Sequence, residues 1–256
     1  MKAVILAGGF GTRISEETAL KPKPMVEVGG KPLLWHIMKT YAHHGVKDFI
    51  VCLGYKGYVI KEYFANYFRH NSDVTFYLAE GRMEVHDTFS EDWSVTLVET
   101  GHNTQTGGRL KRVQRYLEGE ELFYMTYGDG LSDIDISALT TFARANDKLA
   151  TVTAVQPAGR FGALDMKGDA VNSFREKPEG EGWMSGGFFV LKPQVMDYID
   201  GDSVPWEKAP MERIASEGEL VAYKHQGFWQ PVDTLRDKNQ VEEAWQSGTP
   251  PWRVWT

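Results

Sequence analysis

The residues best suited to chemistry open the chain: Leu6-Ala7-Gly8-Gly9-Phe10-Gly11-Thr12-Arg13. Glycines at 8, 9 and 11 let the backbone turn sharply and approach a ligand, so that successive amide N–H groups can point at phosphate oxygens. Thr12 adds a hydroxyl donor, and Arg13 a forked cation that can hold two oxygens at once. Taken alone, the cluster fits a tight strand-to-helix turn as well as a ligand loop. Further on, Lys21-Pro22-Lys23-Pro24 carries two cations on stiff backbone, because each proline fixes its own φ and restricts the residue before it. A lysine presented rigidly beside a phosphate loop would draw charge from a triphosphate; a solvated basic turn is the plainer reading. Spacing excludes two familiar phosphate sites. No Gly-x4-Gly-Lys-Ser/Thr occurs, and Gly9-Phe-Gly11 is followed by Ile14 where a dinucleotide loop needs a third glycine or alanine.

Such a loop needs strands behind it. Residues 2–6, 47–53, 122–127 and 150–155 are short apolar runs and read as buried strands, with further strands at 74–78, 95–98 and 219–224. Apolar residues at helical spacing mark 32–44, with Pro32 suited to a first turn, and 56–68, with Ile60, Phe64 and Phe68 on one face. Helices are also expected over 108–117, 134–145, most of 193–217, and 234–247. Residues 80–93 are polar without a period and read as an excursion from the core. The alternation predicts an α/β fold with a mostly parallel central sheet flanked by helices. Its expected organisation is a nucleotide-binding α/β core over 1–155, a smaller mixed lobe on the same sheet over 156–233, and a C-terminal helix with a tryptophan-rich tail over 234–256.

Composition narrows the partners. The 256 residues are 42% hydrophobic and 25% charged, enough for a sizeable core, and the net charge of −7 argues against a general nucleic-acid surface. An acidic protein that binds phosphates must concentrate its cations locally, as residues 13–23 do. The lone cysteine, Cys52, lies in an apolar strand and reads as core, with no disulfide or cysteine metal cage open to it. The N-terminal apolar run is too short for a signal peptide and no stretch approaches a membrane span, so a cytoplasmic protein is expected.

Leu-Ala-Gly-Gly-x-Gly-Thr-Arg followed by Lys-Pro resembles the signature of the sugar-1-phosphate nucleotidylyltransferases, and Gly29-Gly-Lys-Pro-Leu33 is similar to a further segment of that family. The resemblance implies a Rossmann-like nucleotidyltransferase fold and a Mg²⁺-assisted transfer. Its metal ligands would be Asp129, in Gly128-Asp129-Gly130 at a strand end, and Asp233. Asp233 departs from the family's Trp-x-Asp form, standing four places after Trp229, and could equally belong to a helix N-cap. Glu176-Lys177-Pro178 resembles the family's Glu-Lys-Pro, so Lys177 would contact the sugar phosphate and Glu176 a hydroxyl, with Gly186 and Gly187 leaving room for the ring. A surface salt bridge is the alternative for Glu176 and Lys177.

Within the family the likeness runs to members that join CTP to α-D-glucose 1-phosphate, giving CDP-glucose for the dideoxysugars of surface polysaccharides such as O-antigen. It is carried by Thr104-Gln-Thr-Gly-Gly-Arg-Leu-Lys-Arg112, by Gly-Arg-Phe-Gly-Ala-Leu-Asp165 and by Gly227-Phe-Trp-Gln-Pro231. Thr104 and Arg109 are expected near the nucleotide, with Gly128 and backbone of the opening loop. Lys111, Arg112 and Arg115 read as a solvated helix face.

Relatives usually assemble, so a homo-oligomer is expected. Trp245, Trp252 and Trp255 would cover a partner or cap the subunit's own core. Three rivals stand: the same chemistry with dTTP or UTP and glucose 1-phosphate; a nucleotide-sugar binder without catalysis, disfavoured by Arg13, Lys23, Asp129 and Lys177 together; and a glycosyltransferase using Asp133-Ile-Asp135 as its metal motif, which more simply opens a helix.

Overall fold

Uncharged runs of Val, Ile and Leu can only be buried, and in a computed structural model of the chain they form the middle of a sheet. The structure describes residues 1–156, 163–167, 170–175 and 182–255, with backbone alone at 13, 15, 16, 163–167 and 170–175. The strands that matter here are β1 (Ala3–Leu6), β2 (Asp48–Leu53), β3 (Ser72–Tyr77), β4 (Arg82–Thr88), β5 (Ser94–Glu99), β6 (Phe123–Tyr127), β7 (Ala150–Val155), β8 (Met184–Leu191) and β9 (Leu220–Lys224). The helices are α1 (Leu33–His43), α2 (Gly57–His70), α3 (Thr106–Arg112), α4 (Ile136–Asn146), α5 (Ala209–Ser216) and α6 (Leu235–Gln246).

Among the described residues, seven strands form one sheet in the order β9-β7-β8-β6-β1-β2-β5. Only β8 runs against the others, pairing antiparallel with β6 and β7. β1 lies between parallel neighbours, with Ala3 opposite Phe49 and Tyr124, and Leu6 opposite Cys52 and Tyr127. Both its faces are therefore covered. Ala3 and Ile5 pack with α1 residues Leu34, Ile37, Met38 and Tyr41, while Val4 and Leu6 pack with Leu110 of α3 and with Met196 and Trp206. Cys52 is buried on that second face. No described helix is long and apolar enough to cross a membrane.

Several elements differ from expectation. The 80–93 excursion contains β4, which pairs antiparallel with β3 in a hairpin apart from the main sheet; β4 is exposed throughout, so no apolar alternation marks it. Phe68 is exposed, while Ile60 on the same helix is buried. Pro32 stands one step before α1 in extended conformation, φ −60° and ψ 150°, and so precedes the first turn. The segment 193–217 is a 3-10 turn at Pro193–Tyr198 and the short α5, joined by a loop. The expected 108–117 helix begins earlier, at Thr106, and changes to a 3-10 turn at Gln114–Leu117. Asp135 caps α4 by accepting from the Ala138 N–H at 2.8 Å, the helix-opening role expected of Asp133-Ile-Asp135.

The tryptophans cap their own subunit. Trp252 is wholly buried and Trp255 nearly so, both against α1. Trp245 lies over Gly29, where a Cβ would meet its indole at 2.0 Å, so the Gly29-Gly30 turn is glycine for packing as well as for its positive φ. At the centre, the Trp252 indole N–H donates to Nδ1 of buried His36 at 3.3 Å, and His36 Nε2 lies 2.9 Å from the Val28 carbonyl. Both contacts are met only by the neutral ring carrying its proton on Nε2. Burial pushes the His36 pKa down to about 4 from 6.5. Between those values the unfolded chain binds more protons than the folded one, so this stability is full above pH 6.5 and is lost as pH falls toward 4. Thermal midpoints measured across that range should fall more steeply in the parent protein than in His36→Leu, each referred to its own value at neutral pH.

Candidate active site

β1 and β6 run side by side and end together, so the loops after them share the carboxyl edge of the sheet, the usual place for ligands in an open α/β sheet. Residues 6–12 and 127–129 meet there with Lys23, Pro24, residues 103–106 and Arg109 around a cleft of about 310 Å³, within the range of small-molecule sites. The Gly128 N–H donates to the Leu6 carbonyl at 3.1 Å, which ties the two loops together. A Cβ on Gly128 would meet Pro24 at 2.7 Å, whereas one on Gly9 would meet nothing within 4 Å. Gly9 is thus where a ligand can come closest to the backbone.

The loop is braced from behind by Arg109, buried at 4% exposure. Its guanidinium donates to the carbonyls of Gly8 (3.0 Å), Leu53 (3.0 Å), Gly101 (2.7 Å) and His102 (3.3 Å), and to the Thr100 hydroxyl at 2.8 Å. Burial lowers its pKa. Gly8 is required here, since its Cβ would meet the guanidinium at 2.2 Å. Arg109 borders the cleft, with its fork turned to the protein's own backbone. Thr104 also lines the cleft. Of the residues expected on a solvated face, Arg112 pairs with Asp202 and Arg115 bonds Tyr116, both exposed, but Lys111 is part-buried and donates to the Met196 carbonyl at 2.7 Å.

Lys23 lies in a 3-10 turn between Pro22 and Pro24 and is 7% exposed. Its ammonium is 2.7 Å from Asp129 Oδ2 and 2.5 Å from Asp233 Oδ1. The chain brings these distant aspartates together through a short pairing: Trp229–Pro231 runs antiparallel to Gly130–Ser132, and the Val232 N–H donates to the Asp129 carbonyl at 2.9 Å. Asp233 directly precedes the α6 cap, where Thr234 and Asp237 form a capping box. Asp237, 5% exposed, accepts from the Asp233 and Thr234 N–H groups at 3.1 and 2.9 Å. Sequence reading passed over Asp237; its signal was Thr-x-x-Asp at a helix start.

Tyr127 was also missed, although it immediately precedes Gly128-Asp129. Its ring lines the cleft and lies over Gly187, where a Cβ would meet it at 2.6 Å and where φ is +76°. Its hydroxyl donates to Glu207 at 2.5 Å, and burial, then the Glu207 charge, raise its pKa. The Gly186 carbonyl accepts from the Trp229 indole at 2.8 Å. Thr12 and Arg13 occupy a 3-10 turn after the glycine loop; the Arg13 side chain, and all of Glu176 and Lys177, lie outside the described residues.

A family model described as nucleotidyl transferase matches residues 2–242. Over the whole of both chains, this protein is 62% identical to glucose-1-phosphate cytidylyltransferase of Salmonella typhimurium. It is 43% identical to the probable glucose-1-phosphate cytidylyltransferase of Bacillus subtilis, again with 100% of each chain covered. Among solved structures, HddC from Yersinia pseudotuberculosis matches with a TM-score of 0.71 at 24% identity, covering 95% of this chain and 99% of that one, a likeness of fold.

Proposed function

Because the chain belongs to the nucleotidyl transferase family, we propose that it converts CTP and α-D-glucose 1-phosphate to CDP-glucose and pyrophosphate. The choice of this pair is carried by the 62% identity to the Salmonella typhimurium enzyme over the full length of both chains. The phosphate-loop cleft with its lysine and two carboxylates supplies the chemistry.

The attacking group is an oxygen of the sugar phosphate, already charged at neutral pH, so no catalytic base is needed. It forms a bond to the α-phosphorus of CTP as the bond from that phosphorus to the bridging oxygen breaks, and pyrophosphate leaves with the electron pair. The obstacle is repulsion between two anions, and catalysis consists of neutralising and aligning them. The glycine-loop amides of residues 8–11, Thr12, Arg13 and Lys23 serve the triphosphate. Backbone of residues 6–9 and 104–109 reads the base, with Thr104 beside it. Glu176, Lys177, Gly186 and Gly187 serve the sugar phosphate, within a lobe spanning 156–233.

Asp129 and Asp233 hold the divalent ion, Mg²⁺. Their oxygens converge on one ammonium within 2.7 Å, which is how two ligands to a single cation are disposed. Among the described residues no group of three or more His, Cys, Asp or Glu forms a metal cage, and two carboxylates completed by substrate phosphates and water suit magnesium. When bound, the ion supplies positive charge to the phosphates as negative charge moves to the leaving pyrophosphate.

Pyrophosphate release with glucose 1-phosphate and each of CTP, UTP and dTTP tests the assignment. CTP should lead by roughly tenfold or more in kcat/KM, because a site that hydrogen-bonds one base edge leaves its groups unpaired with another. Equal turnover with UTP would count against it. The same reading places the enzyme in the cytoplasm, supplying CDP-glucose for dideoxysugars of surface polysaccharide. It also makes the enzyme a homo-oligomer, to which the exposed Phe76 and Leu78 around the β3–β4 hairpin offer apolar surface.

A further inference from the structure

The position of Lys23 has a consequence for how ligands bind. We propose that Lys23 is an internal counter-cation of the Asp129–Asp233 pair, holding the oxygens a metal would use, so that a divalent ion binds tightly only once a triphosphate has drawn the lysine away. The inference rests on the assignment of those carboxylates to the metal.

The ammonium lies 2.7 Å from Asp129 Oδ2 and 2.5 Å from Asp233 Oδ1, and it is nearly enclosed. A magnesium ion binds carboxylate oxygen at about 2.0–2.1 Å. An ion held by those same two oxygens would occupy the ammonium's own space, so the two cations exclude each other. The backbones that carry these three side chains are held in place. Asp233 is pinned through its N–H by Asp237, Asp129 through its carbonyl by Val232, and Lys23 is flanked by two prolines. The lysine stem has the freedom that its backbone lacks. Four rotatable bonds can carry the ammonium from the carboxylates into the adjoining cleft, which Lys23 already lines beside the glycine loop.

A triphosphate in that cleft offers the ammonium several negative oxygens and so draws it off Asp129 Oδ2 and Asp233 Oδ1. Those two oxygens are then open to a metal ion. The two binding events are thus positively coupled, and by linkage the metal tightens triphosphate binding by the same factor. The arrangement also keeps two neighbouring carboxylates from repelling each other before substrate arrives. Lys23 therefore has two stations, one on the acids and one on the phosphates.

The test is Mn²⁺ binding to the full chain without nucleotide, read as free Mn²⁺ by electron paramagnetic resonance. Parent protein is compared with Lys23→Met and with Lys23→Gln, which can still hydrogen-bond the acids and preserve the fold. Asp129→Asn is measured alone and combined with each. Removing the ammonium should tighten Mn²⁺ binding by roughly tenfold, within the range of ordinary coupling, and Asp129→Asn should abolish the gain. Affinity that is unchanged or weaker in both lysine variants, while Asp129→Asn still removes binding, overturns the competition and leaves the metal assignment standing. Mn²⁺ binding that Asp129→Asn leaves untouched overturns the metal assignment itself.

Discussion

Asp129→Asn should reduce kcat for pyrophosphate release by roughly 10³-fold or more at saturating CTP, glucose 1-phosphate and Mg²⁺, with the fold intact. The size follows from what is removed. A preorganised charge aimed at a developing anion contributes on the order of 10²–10³ in rate, and here the loss also weakens retention of the ion that provides it. Folding should survive because the amide has the same shape, the site is part-exposed, and Lys23 keeps Asp233 as a partner. Thermal unfolding of the variant checks that point. The readout also separates enzyme from silent binder: a protein that only captures nucleotide-sugar shows no turnover for the substitution to abolish. Undiminished turnover in the variant would remove Asp129 from the mechanism.

The second large effect is on stability. Arg109→Met keeps much of the stem's bulk and deletes a guanidinium that serves four backbone carbonyls and a hydroxyl. A buried acceptor left without its donor costs about 1–3 kcal/mol. Some of these acceptors will find water at the cleft, so a net loss of about 3 kcal/mol is expected, or roughly 6–12 °C in the thermal midpoint for a chain of this size. Calorimetry measures it. Because the Gly8 carbonyl is one of the freed acceptors, KM for CTP should rise as well. A midpoint within about 1 °C of the parent's would show that the bracing of the loop is dispensable.

What the sequence made legible was what depends on neighbours along the chain. β1, β2, β6 and β7 are short, mostly apolar runs, and such runs have few alternatives to a buried strand. Asp129 was found because it terminates one of them. Lys23 was found because two prolines frame it. What escaped depends on contacts between distant segments. The reversal of β8 against β6 and β7 is a matter of topology, since a strand's composition does not state its direction. β3 was legible at 74–78, but its hairpin partner β4 gave no signal because it has no buried face. Arg109 was read as a ligand contact, and only the folded chain shows the carbonyls of residues 8, 53, 101 and 102 arranged around its guanidinium. Tyr127 and Asp237 looked like ordinary strand and helix residues; their neighbours Gly187 and Asp233 lie far off in sequence or behind a cap.

The split origin of the acidic pair bears on how the protein is made. Asp129 stands in the turn after β6, at mid-chain, while Asp233 is set in place by α6, which in turn is covered by Trp252. A ribosome that has translated through β7 has already produced the glycine loop, its arginine brace and one carboxylate, yet the second acid does not exist. Nascent chains and products of premature termination before residue 233 therefore carry the lysine and one acid without the other, and the Asp129–Lys23–Asp233 cluster closes only when the last helix is in place.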